Sequence, residues 1–320
     1  MHPEETITPS SDAAVRAHDG RSKSNPAHHE PRDVDLRVAV LSDVHGNGPA
    51  LDAVLADVRA LGADRVVVNG DVVNRGPDGV EVTRTLLGLD ERVDFTLGNH
   101  DALMRLWWDR DPEIPGEWFA DPFFDSFTWC ARQLHEADLL GVLDGWPMTH
   151  RIEEPGAPVV VFAHGTPDHY REGVGRRMAP ERMSALLEAS GAHVLVGSHT
   201  HVPGLWERPE GLLVNSGAVG APFNRDVRAQ YLLLDLVRGA WVPRIRHVPY
   251  DLSDILRRYE TSGLLRAGNL SAHIFREELK TAYPLYARFW EWTETQARPR
   301  EWAAWAEFER DVAPAFLVPG

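Results

Sequence analysis

Leu36-Arg37-Val38-Ala39-Val40-Leu41 runs directly into Ser42-Asp43-Val44-His45-Gly46-Asn47. The near-continuous apolar run reads as a buried strand, and Ser42-Asp43 stops it. Next, Pro49 to Leu61 spaces Leu51, Val54, Leu55 and Val58 at helical intervals and ends at Gly62. The alternation repeats. Arg65 to Asn69 is a second strand, stopped by Gly70-Asp71; Val80 to Leu89 is a second helix; Val93 to Leu97 is a third strand, stopped by Gly98-Asn99. This βαβαβ order predicts an α/β fold with a parallel sheet. Each strand ends in a polar turn containing glycine, and open sheets of this kind place their sites beyond the carboxyl ends of strands.

Outward from that core the pattern changes. Leu103 to Pro155 reads as helical and aromatic, with an irregular Pro-rich middle at 112–122. Strands are expected again at Val159–Phe162, Val194–Val196, Leu212–Val214 and Tyr231–Leu234, with a helix at Pro180–Ala189. From Leu252 onward the chain is helical and rich in tryptophan. We therefore expect a disordered leader over 1–34, a main domain over 35–250 with a helical insert at about 103–157, and a helical extension over 251–320. That extension is expected to pack on the core or at an oligomer interface.

Composition narrows the classes. With 320 residues, 43% hydrophobic and 25% charged, the chain has ordinary globular character and excludes a collagen-like or coiled-coil protein. A single cysteine, Cys130, excludes an intramolecular disulfide, a zinc finger or an iron–sulfur cluster. No apolar run reaches the ~18 residues of a membrane helix, and the N-terminus lacks a signal-peptide core; the expectation is a cytoplasmic protein without a membrane partner. Lys and Arg total 33 against 48 Asp and Glu, a net charge of -15. Such a field repels long polyanions, which argues against long nucleic acid as a partner.

The strand ends carry the chemistry. Asp43 and His45 sit two apart, and Asp71 follows the second strand. Asn99, His100 and Asp101 follow the third, His164 the next, and His199 and His201 the last of the set. Carboxylates mixed with imidazoles suit Mn, Fe, Zn or Ni rather than Mg or Ca alone. Asp43, His45, Asp71, Asn99, His164, His199 and His201, with His100 left over, make seven possible ligands, too many for one tetrahedral site and enough for two ions sharing a carboxylate. Two ions roughly 3.5–4 Å apart can clamp a phosphoryl group for in-line attack.

The ordered set Asp43-Val44-His45-Gly46-Asn47, Gly70-Asp71-Val72-Val73-Asn74-Arg75-Gly76, Gly98-Asn99-His100-Asp101, His164-Gly165 and Gly197-Ser198-His199-Thr200-His201 resembles the calcineurin-like metallophosphoesterases, over about residues 36–248. The resemblance implies a four-layer α/β/β/α sandwich, here with an aromatic helical insert and a helical C-terminal extension. It implies two divalent transition ions, manganese favoured and Fe, Zn or Ni as alternatives. Asp43, His45, Asp71 and His201 would take one ion, and Asp71, Asn99, His164 and His199 the other, with a bridging hydroxide as nucleophile. His100 would be the general acid, Arg75 would bind phosphate, and Asp101 would orient His100.

Two departures stand out. Asn74 occupies the place of the aspartate that assists the catalytic histidine in the Ser/Thr phosphatase branch, and it carries no charge. Asn215-Ser216-Gly217-Ala218 replaces the usual Asn-Pro-Gly-Ser of the small bacterial and archaeal phosphodiesterase branch, which the chain otherwise resembles more closely. The expected activity is hydrolysis of small nucleotide-like phosphodiesters. The alternatives are a phosphomonoesterase or protein phosphatase, a dinucleoside polyphosphate hydrolase, or a non-catalytic binding scaffold. The aromatic residues of the insert and the C-terminal helices are expected to shape a substrate pocket or to support a homo-oligomer.

Overall fold

The computed structural model describes residues 34–90 and 92–317. The expected leader, up to Asp33, lies outside the described residues. In chain order the elements are β1 (Leu36–Leu41), α1 (Gly48–Leu61), β2 (Arg65–Asn69), α2 (Gly79–Leu87), β3 (Arg92–Thr96), α3 (Asn99–Asp109), α4 (Asp125–Glu136), α5 (Leu140–Asp144), β4 (Thr149–Ile152) and β5 (Val160–Ala163). They continue with α6 (Pro180–Ser190), β6 (Val194–Gly197), β7 (Gly204–Arg208), β8 (Gly211–Asn215), β9 (Ala229–Val237) and β10 (Ala240–Val248). The helices α7 (Leu252–Thr261), α8 (Leu264–Ala267), α9 (Asn269–Thr281), α10 (Leu285–Thr295), α11 (Trp302–Asp311) and α12 (Pro314–Leu317) complete the chain. No helix among the described residues is long and apolar enough to cross a membrane.

Two five-stranded sheets result, in orders β10-β9-β1-β2-β3 and β4-β5-β6-β8-β7. In the first, β1, β2 and β3 are parallel and β9 and β10 run antiparallel. In the second, β5, β6 and β8 are parallel, flanked by antiparallel β4 and β7. The two-residue period of a strand sorts the side chains into layers. Val38, Val40 and Val67 of the first sheet meet Phe162, Val196 and Val214 of the second. The alternate residues Ala39, Leu41, Val66 and Val68 face Leu51, Val54 and Leu55 of α1. On the far side, Val161, Leu195 and Leu213 pack on Met183, Leu186 and Leu187 of α6. Each fully buried side chain of this size contributes roughly 1.5–3 kcal/mol. The layers are α/β/β/α, as expected.

Three strands escaped the sequence reading. Thr149–Ile152, expected as part of a helical stretch, is the edge strand β4. β7 and β10 are also edges; β10 carries Pro243, Arg244 and Arg246, and such residues suit an edge because it needs no second ladder of hydrogen bonds.

The insert and the C-terminal helices share one apolar cluster with the helical face of the first sheet. Trp118 stacks on Phe124 at 4.6 Å and meets Trp290 edge-on at 5.4 Å. Phe123 stacks on Tyr286 at 5.2 Å, and the Arg300 guanidinium lies 3.9 Å from the Trp290 ring centre. The insert's aromatic rings therefore pack against those of the C-terminal helices.

Candidate metal centre

Local backbone rules bring the strand ends together. The turns beyond the strands hold Asp43, His45, Asp71, His199 and His201 at φ between 48° and 64°. This left-handed region is costly for residues other than glycine, and such strain persists where the surroundings over-determine it, as at functional sites. Gly98 explains one close approach: a Cβ there would lie 2.1 Å from Asp71 Oδ1. Asn47 caps α1, its Oδ1 accepting the Ala50 N–H, while its Nδ2 donates to Gly220 O. Asn69 ties the two sheets at their carboxyl ends, donating from Nδ2 to Ala163 O and Ser198 Oγ.

The expected ligands converge in two groups. Asp43, His45, Asp71 and His201 have ligand atoms within 4.8 Å of one another, and so do Asp71, His164 and His199. Asp71 belongs to both. Asn99 Oδ1 completes the second group, 3.1 Å from His164 Nε2 and 2.7 Å from His199 Nδ1.

Three imidazoles have fixed tautomers. The Nδ1 atoms of His45, His164 and His201 lie 3.2, 3.0 and 2.5 Å from the backbone oxygens of Val73, Asn69 and Ala221. Carbonyls only accept, so each Nδ1 carries a proton, and each Nε2 is the ring atom turned toward the cluster, where a bound cation would take its lone pair. His45 Nε2 then faces His201 Nε2 at 3.3 Å. Asp71 Oδ1 accepts the His100 backbone N–H at 2.8 Å. Its Oδ2, and both oxygens of Asp43, are buried with no hydrogen-bond partner. Buried acceptors left unsatisfied cost about 1–3 kcal/mol each, more when charged. Imidazole Nε2 atoms and orphaned carboxylate oxygens gathered within one small cluster fit a cation between them, which is the donor chemistry of a metal site.

The charges agree. Burial alone would raise Asp71, but His164, with His100 and His45, holds it well below the usual carboxylate range. Burial opposes charge on His164, yet Asp71 and then Asp43 raise it to about 10. Burial, reinforced by His164, pushes His199 down to about 4.

Two expected catalytic residues stand differently from the sequence reading. Asp101 does not orient His100. Its carboxylate accepts the backbone N–H groups of Asp71 (2.7 Å), Val72 (2.9 Å), Val73 (3.3 Å) and Gly98 (3.1 Å), so it fixes the turn that carries Asp71. The partner of His100 is Asn74. Asn74 Oδ1 accepts the Arg75 N–H at 2.8 Å, which leaves Nδ2 to donate to His100 Nδ1, also at 2.8 Å. His100 is thereby held as the Nε2–H tautomer, and burial pushes its pKa down to about 3. Its ring meets His45 edge-on at 4.9 Å, which places it beside the first group. Arg75 lies near the same group but is ion-paired to Glu278 at 2.5 Å. The serine of the altered Asn215-Ser216-Gly217 turn is buried in a hydroxyl network, 2.7 Å from Ser42 Oγ and 3.1 Å from Ser198 Oγ.

Residues 36–203, just over half of the chain, match the calcineurin-like phosphoesterase profile. The chain belongs to the calcineurin-like phosphoesterase family. Solved structures share the architecture. A metallophosphoesterase from Sphaerobacter thermophilus aligns at TM-score 0.57 and 25% identity, over 74% of this chain and 99% of that one. Hypothetical protein PH1004 of Pyrococcus horikoshii OT3 aligns at TM-score 0.63 and 20% identity, over 75% and 97%. In sequence, a symmetrical bis(5'-nucleosyl)-tetraphosphatase of Acidovorax sp. (strain JS42) is 31% identical over 134 residues, which span 36% of this chain and 48% of that relative. The chain thus pairs the family's fold with an Asp/His cluster that fits a metal site.

Some site residues carried no local signal. Phe223, stacked 4.3 Å from the His201 ring, and Glu278 both lie outside every motif block, Glu278 far along the chain from all of them. Asn74 was visible only as a departure.

Proposed function

We propose that this phosphoesterase hydrolyses small nucleotide-like phosphodiesters with two divalent transition ions, manganese favoured. Asp43, His45, Asp71 and His201 hold one ion, and Asp71, Asn99, His164 and His199 hold the other. The observation that carries this reading is the pair of donor groups sharing Asp71, with orphaned carboxylate oxygens at their centre. Bound there, the ions would polarise the phosphoryl oxygens and lower the pKa of an attacking water. The protein's own part is positional. Asp71 is fixed through Oδ1 and leaves Oδ2 free, the three imidazoles are held by backbone carbonyls, and His100 presents an Nε2–H donor beside the first group for the leaving oxygen.

A second reading is hydrolysis of a dinucleoside polyphosphate. The partial similarity to the Acidovorax tetraphosphatase supports it. One panel tests both, assayed with added Mn²⁺: an aryl phosphodiester, a cyclic nucleotide, an aryl monoester and a bis(5'-nucleosyl) tetraphosphate. Turnover of diesters that chelation abolishes supports the first reading. Turnover confined to the tetraphosphate replaces it with the second. Bound metal without turnover of any substrate would mark a scaffold.

A further inference from the structure

The C-terminal helices hold Arg75 at its carbonyl, at Nη1 and across the guanidinium face. It lies four residues after Asp71 in the same turn, at φ 67°. Tyr259 of α7 donates its hydroxyl to the Arg75 carbonyl at 3.0 Å. Phe275 of α9 lies against the guanidinium, 4.8 Å from ring centre to Cζ. Glu278, also of α9, pairs Oε2 with Arg75 Nη1 at 2.5 Å. Glu278 is itself buried, 2% exposed, and its Oε1 accepts the Tyr286 N–H at 2.8 Å. The carboxylate is thus anchored from behind while it holds the arginine in front.

The guanidinium faces the metal centre's side of this contact. Phe223 lies 5.4 Å from Arg75 Cζ and stacks on His201, so a single ring separates Arg75 from a proposed ligand. Arg75, Glu278 and Phe275 line one narrow cavity with His45. One pairing occupies Nη1, and the buried Nε has no partner. A guanidinium with an unpartnered N–H, in a cavity it shares with the proposed ligand His45, offers a donor to an oxyanion held beside the first group.

We propose that Glu278 is a positioning residue for phosphate binding: by fixing Arg75 between Phe275 and Phe223, it makes the C-terminal helices part of the oxyanion-binding face. The inference rests on the phosphoester reading above. A freely rotating arginine loses side-chain entropy on each binding event, and one pre-ordered by a buried ion pair has already lost it.

The test uses the full-length protein loaded with Mn²⁺ and inorganic phosphate as probe, by titration calorimetry and as an inhibitor. Glu278→Gln should weaken phosphate about tenfold, the scale of one charge-assisted hydrogen bond. It should raise KM for an aryl phosphodiester in parallel while changing kcat less. Arg75→Met should weaken phosphate at least as much, and the double variant no more than Arg75→Met alone, because Glu278 acts only through Arg75. Tyr259→Phe, which removes one hydroxyl, gives a milder variant should Glu278→Gln fold poorly; it should weaken phosphate about two- to fivefold. Unchanged phosphate affinity in Glu278→Gln or Tyr259→Phe, or additive losses in the double variant, would overturn the proposal. Wild type that hydrolyses no phosphoester yet loses phosphate on Glu278→Gln would sink the functional reading and leave this one standing.

Discussion

Asp101→Asn is the substitution whose cost the structure sets most tightly. Asp101 is fully buried and accepts four backbone N–H groups, from Asp71, Val72, Val73 and Gly98. Burial and the neighbouring Asp71 raise the Asp101 carboxyl to about 7, so in an assay at about pH 8 or above asparagine keeps the shape and removes the charge. Oδ1 serves Val72 and Val73, and Oδ2 serves Asp71 and Gly98. Whichever way the new amide sits, its NH₂ confronts two N–H donors. Two charge-assisted bonds are lost at about 1.5–3 kcal/mol each, giving about 3–6 kcal/mol. The assay is urea unfolding of the metal-free protein, since bound metal adds its own stabilisation. The same variant should bind Mn²⁺ at least about tenfold more weakly, because the turn holding Asp71 in its left-handed conformation loosens. A loss below about 1 kcal/mol, with Mn²⁺ affinity intact, would refute the reasoning that Asp101 is a structural clamp.

Three further outcomes follow from the same geometry. His100→Ala should retain metal and lose about 10²–10⁴ in kcat, less on a substrate with a nitrophenolate leaving group; loss of metal instead would make His100 a ligand. Asn74→Ala frees the His100 ring and should lower kcat about 10–100-fold with metal content unchanged, as steady-state kinetics and elemental analysis will show; unchanged kcat would remove Asn74 from the machinery. Trp290→Ala, in the aromatic layer but only partly buried, should cost about 1–3 kcal/mol in unfolding free energy yet leave the kcat/KM ratio between a nucleotide diester and an aryl diester unaltered; a changed ratio would return the insert and tail to a direct substrate role.

The sequence made the parallel core legible because β1, β2, β5 and β6 are buried on both faces and read as apolar runs closed by glycine turns. The edge strands were not legible, because β7 alternates half-buried and exposed residues over a short span and β10 mixes arginines with proline. The ligand set was legible because each donor sits at a strand end in a short motif. The supporting residues were not. Nothing local marks Glu278 as the partner of Arg75, 203 positions earlier, and Asp101, expected to orient His100, shows its clamping role only through its four amide donors. Selectivity was expected from the insert that leaves the site with α3. Its rings instead stack on the C-terminal helices, and those helices supply Tyr259, Phe275 and Glu278 around Arg75.

The central claim is that two ions share Asp71. Anomalous diffraction from crystals grown with Mn²⁺ tests it most directly. The account requires two peaks roughly 3.5–4 Å apart, one within coordination distance of Asp43, His45, Asp71 and His201, the other of Asp71, Asn99, His164 and His199. A single peak, or peaks that leave Asp71 unshared, would contradict it.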